Sequence, residues 1–191
     1  MRSFYRYLLE SGAISSSPAE GVRGIKGGNR RHKRENLSDE EVKDVLATCD
    51  QSVQGIRDRA ILTLMAYCGL RTVEIQRANL DNLKINGRMV LWVQGKGHRE
   101  ADAFVVIPRD QEIVIRRWLA ERKKLSTSEP ALFVSLSRNA YGGRLTTRAI
   151  SSIVKSHYHA AGIYDDTKTT HSLRHSAITS AIRHGATPMQ V

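Results

Sequence analysis

The sequence has few of the residues that mark specialised classes of protein. Its 191 residues include two cysteines, four prolines and 6% aromatic residues. Cys49 and Cys68 lie in separate apolar segments without the spacing of a metal or disulfide motif, which predicts buried free thiols in a reducing compartment. No apolar run approaches the roughly 20 residues of a membrane span, and the N-terminus lacks the apolar core of a signal peptide. We therefore expect a cytoplasmic protein without a membrane segment.

Acidic residues are also scarce relative to basic ones. The chain has 30 Lys and Arg against 19 Asp and Glu, a formal net charge of +11 and a pI of about 10.1. Such an excess favours a polyanionic partner, with nucleic acid ahead of a membrane surface. A basic protein with no polyanionic partner is the alternative on charge alone.

The densest basic run lies between two segments of different composition. Around three glycines it carries residues predicted to bind DNA phosphates: Arg23, Lys26, Arg30, Arg31, Lys33 and Arg34. Glycine and charge together are typical of a flexible interdomain linker, here one that lies on a phosphate backbone. A solvated linker without such contacts is the alternative. We accordingly divide the chain into residues 1–35 and residues 36–191.

Hydrophobic periodicity predicts an α+β fold that is mostly helical, with one small three-stranded antiparallel sheet. Ser38 and Glu41 form a capping-box signal before the first helix of the compact part, and Asn86-Gly87 predicts a β-hairpin. Helices are expected at 3–11, 39–49, 54–69, 71–80, 110–124, 145–162 and from about 169, with strands at 80–85, 89–95 and 103–108. The apolar side of the first helix should include Phe4 and Tyr7, and that of helix 110–124 should include Ile113, Ile115 and Trp118.

Three short motifs could carry chemistry. In CGLRTVEI, Arg71 stands at a helix start, where free backbone N–H groups favour an anion, and Glu74 shares its face. A surface ion pair is the simpler explanation of these two. In QGKGHRE, Lys96 stands between glycines at the tip of a predicted hairpin, which suits a mobile cation but also an ordinary solvated turn.

The third motif, THSLRH, places His171, Arg174 and His175 on the first turns of a helix. Histidines four residues apart can bind zinc, but residue 172 is Ser where the H-E-x-x-H motif has Glu, and no third ligand is evident. Imidazole and guanidinium groups at a helix N-terminus fit a phosphate better. We therefore predict no metal.

The order of these motifs is more specific than any one of them. G-L-R-x-x-E, a strand, G-K-G in a hairpin and then H-x-x-R-H resemble the catalytic domain of the tyrosine recombinases, the phage integrase family. SSPAEGVRGIK is similar to the end of that family's core-binding domain and its linker, and LSDEEVKDVL to the opening helix of its catalytic domain. The resemblance covers nearly the whole chain.

The resemblance implies site-specific breakage and rejoining of double-stranded DNA without a cofactor or metal. A tyrosine attacks the scissile phosphate, forms a 3′-phosphotyrosyl link and is displaced by a 5′-hydroxyl. By position, Arg71 and Arg174 would clamp the phosphate oxygens, and Lys96 would protonate the 5′-oxygen. His171 would hydrogen-bond the phosphate or move the tyrosine proton, and Glu74 would orient its neighbours.

The sequence departs from the family in two respects. The first is the segment after Lys96, which is longer than the family's usual hairpin. The family's nucleophile follows the H-x-x-R-H motif, yet all tyrosines here precede His171: Tyr5, Tyr7, Tyr67, Tyr141, Tyr158 and Tyr164. We therefore expect a chain that lacks the nucleophile and does not cleave DNA by itself.

Three hypotheses follow. The chain is the catalytic domain of a recombinase, or an inert DNA-binding remnant that modulates a full-length recombinase, or an unrelated basic helical protein that binds nucleic acid. Under the first two, a full-length protein would form a tetramer on DNA, whereas this chain would be monomeric. Its uncovered apolar surface would then lie near Ile178, Ile182 and Met189.

Overall fold

A computed structural model of the chain describes residues 2–20, 35–95 and 100–187. It forms two units, residues 1–32 and residues 33–191. In the first unit, helix α1 (Arg2–Glu10) leaves Phe4 and Tyr7 of its predicted apolar side exposed. The linker residues predicted to bind DNA, and also Lys96 and Met189, lie outside the described residues.

The second unit confirms the predicted fold class. Its helices are α2 (Asp39–Ala47), α3 (Val53–Tyr67), α4 (Thr72–Arg77), α5 (Glu112–Lys124), α6 (Thr147–Ala160) and α7 (Thr170–Arg183), with short 3-10 helices at Leu80–Asn82 and Arg138–Ala140. One antiparallel sheet has the order β1 (Leu83–Asn86), β2 (Arg88–Val93), β3 (Ala103–Val106). None of the described helices is long and apolar enough to cross a membrane.

Local sequence signals fix the ends of the first helices. The predicted capping box is present, because Ser38 Oγ accepts from the Glu41 N–H at 3.1 Å and Glu41 Oε2 accepts from the Ser38 N–H at 2.8 Å. Helix α3 ends where Gly69 takes a positive φ of 64°, which a side chain would disfavour. Helix α4 begins three residues later, at Thr72.

Helix α3 is the centre of the core, because it is buried on nearly all sides. Ile61, Leu62 and Leu64 have no exposed surface, and the helix packs against α2, α5, α6 and α7. In α5, Trp118 is buried, stacks on Phe133 at 5.9 Å and donates its indole N–H to the Leu132 carbonyl at 2.9 Å.

Two details of the sequence prediction are wrong. Ile113 was expected on the apolar face of α5 with Ile115 and Trp118, yet it is 67% exposed. Residues two apart on a helix point roughly 200° away from each other, so Ile113 cannot share a face with Ile115. Residues 80–82 form a 3-10 helix before β1 instead of the start of the strand.

The sheet shows the expected alternation of inward and outward side chains. Met89 and Leu91 are buried, whereas Trp92 between Leu91 and Val93 points to the outer face. Gly87 takes a positive φ of 70° in the hairpin turn predicted at Asn86-Gly87. Strand β3 pairs with β2 in a register that sets Phe104 opposite Trp92.

Candidate active site

Arg71 lies at the corner where α3 ends and α4 begins. Its backbone N–H donates to Glu74 Oε2 at 2.7 Å, and its Nη1 donates to Glu74 Oε1 at 2.7 Å. The Glu74 side chain is 5% exposed and that of Arg71 is 41% exposed, so a buried carboxylate holds a half-exposed guanidinium. The pair is therefore not a loose surface ion pair, since its acid is fixed inside the domain.

Arg174 comes from α7 and reaches the same corner. Its Nη1 donates a short hydrogen bond to the Gly69 carbonyl. Burial lowers the pKa of Arg174, and the nearby positive charge of Arg71 lowers it further, while Glu74 opposes this effect. The two guanidinium groups are therefore close enough to repel each other.

These three residues, which we call the site cluster, line one open depression of about 790 Å³ between α7 and strand β3. Two guanidinium groups face one carboxylate, so the site cluster carries an excess of one positive charge. A fixed excess charge of this kind, with planar donors, matches a tetrahedral phosphate and the extra negative charge of a transition state at phosphorus.

The two histidines of the third motif occupy the start of α7. Thr169 is the N-cap, and its Oγ1 accepts from the His171 N–H at 3.3 Å. Both imidazoles are exposed and meet edge to face, with ring centroids 6.2 Å apart. His171 stands one turn before Arg174 but is not among the described residues that line the depression. Within residues 2–20, 35–95 and 100–187, no group of three metal-ligating side chains is found.

The segment that follows β2 reaches α4. Lys96 lies outside the described residues, but Gly95 immediately before it accepts a hydrogen bond from Arg77 Nη1 at 3.5 Å. Arg77 ends the helix that begins beside Arg71. Gly95 is therefore hydrogen-bonded to the same short helix that contains Glu74.

Sequence reasoning missed other residues of the depression. Tyr67, Phe104, Ala177 and Ile178 also line it. Burial and the carboxylates of two aspartates raise the pKa of the Tyr67 hydroxyl. The period-2 alternation of the strands could have placed Phe104 on an exposed face, but nothing in the sequence indicates that this strand edge faces α7.

A second arginine–carboxylate cluster lies elsewhere in the same unit, and we call it the buried cluster. Arg57 donates from Nε to Asp58 Oδ1 at 2.8 Å and from Nη1 to the Val134 carbonyl at 3.2 Å. His157 Nε2 lies 3.5 Å from Asp58 Oδ2. Both side chains of the Arg57–Asp58 pair are 5% exposed.

The surroundings of His157 favour its protonated form. Thr48 Oγ1 donates to the Val45 carbonyl at 2.6 Å and lies 2.7 Å from His157 Nδ1. The other ring nitrogen faces Asp58, so each ring nitrogen lies beside an oxygen atom that can accept a hydrogen bond. Consistently, hydrogen bonds to Asp58 and Cys49 raise the pKa of His157 to about 9.

Comparison with known proteins identifies the family of the chain. The family model described as Phage integrase family matches residues 35–191. The chain is 34% identical over 184 residues to tyrosine recombinase XerC of Haemophilus influenzae, covering 94% of this chain and 57% of that protein. It is 35% identical over 190 residues to tyrosine recombinase XerD of Lacticaseibacillus casei, covering 97% of this chain and 61% of that protein. It thus spans less than two thirds of these relatives.

Solved structures show the same fold. The XerA recombinase superposes with a TM-score of 0.67 at 20% identity, over 95% of this chain and 59% of that one. The Tn1549 transposon integrase, solved with circular intermediate DNA, superposes with a TM-score of 0.70 at 14% identity, over 96% of this chain and 64% of that one. The matched family excludes an unrelated basic helical protein: the chain belongs to the phage integrase family and has the fold of a tyrosine recombinase catalytic domain.

Proposed function

We propose that residues 36–191 bind double-stranded DNA and activate a phosphodiester for strand exchange through a 3′-phosphotyrosyl intermediate. The observation that supports this proposal best is the convergence of Arg71 and Arg174, 103 residues apart in sequence, on one depression with an excess positive charge. Glu74 offsets only one of the two guanidinium charges, so an anion bound between Arg71 and Arg174 would reduce their mutual repulsion.

In this proposal each residue of the site acts on a different atom of the phosphate. Arg71 and Arg174 donate to the non-bridging oxygens, and Glu74 keeps Arg71 in the orientation for bidentate contact. As the tyrosine oxygen bonds to phosphorus, the bond to the 5′-oxygen breaks, and Lys96 supplies the proton for that leaving oxygen. His171 hydrogen-bonds the phosphate or moves the tyrosine proton. No metal or cofactor takes part.

We infer that the attacking tyrosine is not one of the six in this chain. Tyr158 is 3% exposed and donates its hydroxyl to the Thr169 carbonyl at 3.1 Å, and burial raises its pKa further. Tyr67 lines the depression, but its raised pKa disfavours the phenolate. This chain alone would therefore bind and polarise a phosphate without cutting it. That property is shared by the alternative, an inert DNA-binding chain that modulates a full-length recombinase.

Linker binding and assembly complete the proposal. The basic residues between 23 and 34 would contact the DNA backbone, each contact adding about 0.9 to the log–log salt slope. Deleting residues 1–35 should therefore flatten that slope, and an unchanged slope would exclude these contacts.

A solved lambda integrase is a tetramer on a Holliday junction. We propose the same assembly for the full-length protein and a monomer for this chain, which light scattering with and without DNA would test.

A small external nucleophile tests the catalytic part of the proposal. Hydrogen peroxide can replace the tyrosine oxygen, so the chain should cut nicked duplexes of randomised sequence only when peroxide is added. Sequencing the cut ends would also report the preferred site. Cutting should disappear in Arg71→Ala and Arg174→Ala and persist in Arg148→Ala, which removes an exposed arginine of α6. A covalent DNA adduct without peroxide, mapped to Tyr67, would overturn the inference about the nucleophile.

A further inference from the structure

The depression that holds the site cluster is lined in part by an exposed aromatic residue. Phe104, on the edge strand β3, lines it together with Arg71 and Arg174, and this residue is 57% exposed. Such exposure is unusual for a phenylalanine, since burial of this side chain would be worth roughly 1.5–3 kcal/mol. The depression thus combines cationic donors with an uncovered apolar ring.

Trp92 holds Phe104 in place. The two residues are directly opposite each other in the β2–β3 register, and their ring centroids lie 5.3 Å apart at an interplanar angle of 52°. Trp92 is itself 37% exposed on the outer face of the sheet. Cross-strand aromatic pairs of this kind stabilise each other by up to about 1 kcal/mol, so Phe104 is presented by a rigid support and not by a loop.

We propose that Phe104, supported by Trp92, packs against the base and sugar next to the phosphate bound by Arg71 and Arg174. This inference rests on the proposed function, because it adds a base-contacting group to the same site. A nucleotide in DNA combines a negatively charged phosphate with a base that is flat and apolar on its faces. The residues that line the depression include the complementary pair, two arginines and a phenylalanine.

The proposal gives Phe104 a positioning role for an unpaired base. Strand exchange requires bases near the cut to separate from one strand and pair with another. An aromatic face accepts any base, because every base has a flat apolar surface. Phe104 would therefore hold the displaced base without adding sequence preference, while the arginines hold its phosphate.

A pair of DNA probes isolates the base contact from the phosphate contact. Both are mixed-sequence duplexes with two unpaired nucleotides in the centre, and in one of them these two nucleotides are abasic. The chain should bind the probe with bases about 5- to 20-fold more tightly, since stacking contributes at this level per base. Phe104→Ala should remove the preference and leave the affinity for the abasic probe unchanged. Phe104→Leu should keep apolar contact and retain only part of the preference.

Tryptophan fluorescence gives an independent readout. The chain has two tryptophans, and Trp118 is fully buried, so DNA-dependent quenching reports on Trp92. The base-containing probe should quench the fluorescence and the abasic probe should not, and Trp92→Phe should abolish the change. Tyr141→Ala, which removes an aromatic side chain that is also exposed, is the matched control and should keep the preference.

The outcomes separate this inference from the proposed function. If both probes bind equally and Phe104→Ala changes neither affinity, Phe104 does not contact the base, although the site still binds DNA. If neither probe binds, the proposed function itself fails.

Discussion

The site cluster and the buried cluster use the same components with opposite results. Each contains an arginine bound to a buried carboxylate and a further cation from a later helix. In the buried cluster the extra cation, His157, meets Asp58 and Thr48 and lies near Asp50, whose pKa is lowered chiefly by hydrogen bonds from Ser52 and also by the charge of His157. Every donor there is paired with a protein acceptor, and the charge is offset within the protein.

In the site cluster the extra cation is not offset. Arg174 donates one hydrogen bond to the Gly69 carbonyl and repels Arg71, while Glu74 already accepts from Arg71. The comparison teaches that an arginine–carboxylate pair does not by itself indicate a functional site. What distinguishes the site cluster is a second cation, Arg174, that has no carboxylate of its own among the described residues and lies beside an open depression.

The largest expected effect is the loss of the carboxylate from the buried cluster. Asp58→Ala leaves Arg57 and the His157 imidazolium unpaired inside the protein, which should lower the free energy of unfolding by about 3–5 kcal/mol. Glu74→Ala should cost much less, because Arg71 is half exposed and can be hydrated. Urea unfolding of both variants tests this, and equal losses would contradict the distinction between the clusters.

The next largest expected effect is a pH dependence of the free energy of unfolding that arises in the buried cluster. The pKa of His157 is raised to about 9 from an ordinary value of 6.5, so its stabilisation is complete below about pH 6.5 and is lost as the pH rises through about 9. The charged and titratable groups that face it are Asp58, Cys49 and Asp50. The free energy of unfolding should fall by up to about 3 kcal/mol across this range.

Two histidine variants on the same helix isolate this effect. His157→Gln should remove most of the pH dependence, whereas His159→Gln, which changes an exposed histidine of α6, should keep it. DNA affinity of the folded protein should be the same in both. If His157→Gln unfolds with the wild-type pH profile, the imidazolium is not part of the buried cluster.

The smallest effect on stability is expected for Arg174, whose replacement tests the function of the site cluster. Arg174→Ala should weaken DNA binding by about 10- to 100-fold and lower the log–log salt slope by about 0.9, since one charged phosphate contact is lost. Arg174→Lys should restore the slope more than the affinity, because an ammonium lacks the planar pair of donors. Arg148→Ala is the control of equal charge. Equal losses in Arg148→Ala would mean that net charge, and not the site, determines binding.

The features that the sequence predicts involve residues close together in the chain, whereas the features that it misses join residues far apart. The Ser38 cap, the Asn86-Gly87 turn and the fold class depend on residues a few positions apart, and the sequence reports such signals directly. The site cluster was identifiable because the order of its motifs resembles a known family. The buried cluster was not, because it joins Asp58 to His157 across 99 residues and nothing local marks either residue as a partner.

The exposed face of β2 and β3 can be predicted from the sequence only in part. Alternation of the strand residues places Trp92 outward, but the partner strand and its register depend on the length of the hairpin. The sequence therefore indicates an exposed tryptophan without indicating that Phe104 meets it, or that this edge borders a cationic depression.

The hydrogen bond from Arg174 to Gly69 has a consequence for how the protein is made. It joins two positions 105 residues apart, so it is among the contacts with the largest loop to close and forms only when α7 docks on the end of α3. During synthesis, Arg71 and Glu74 emerge from the ribosome long before Arg174 does. Arg71 and Arg174 therefore meet only after α7 has been made and has docked on α3, so the site cluster is assembled in one of the later steps of folding.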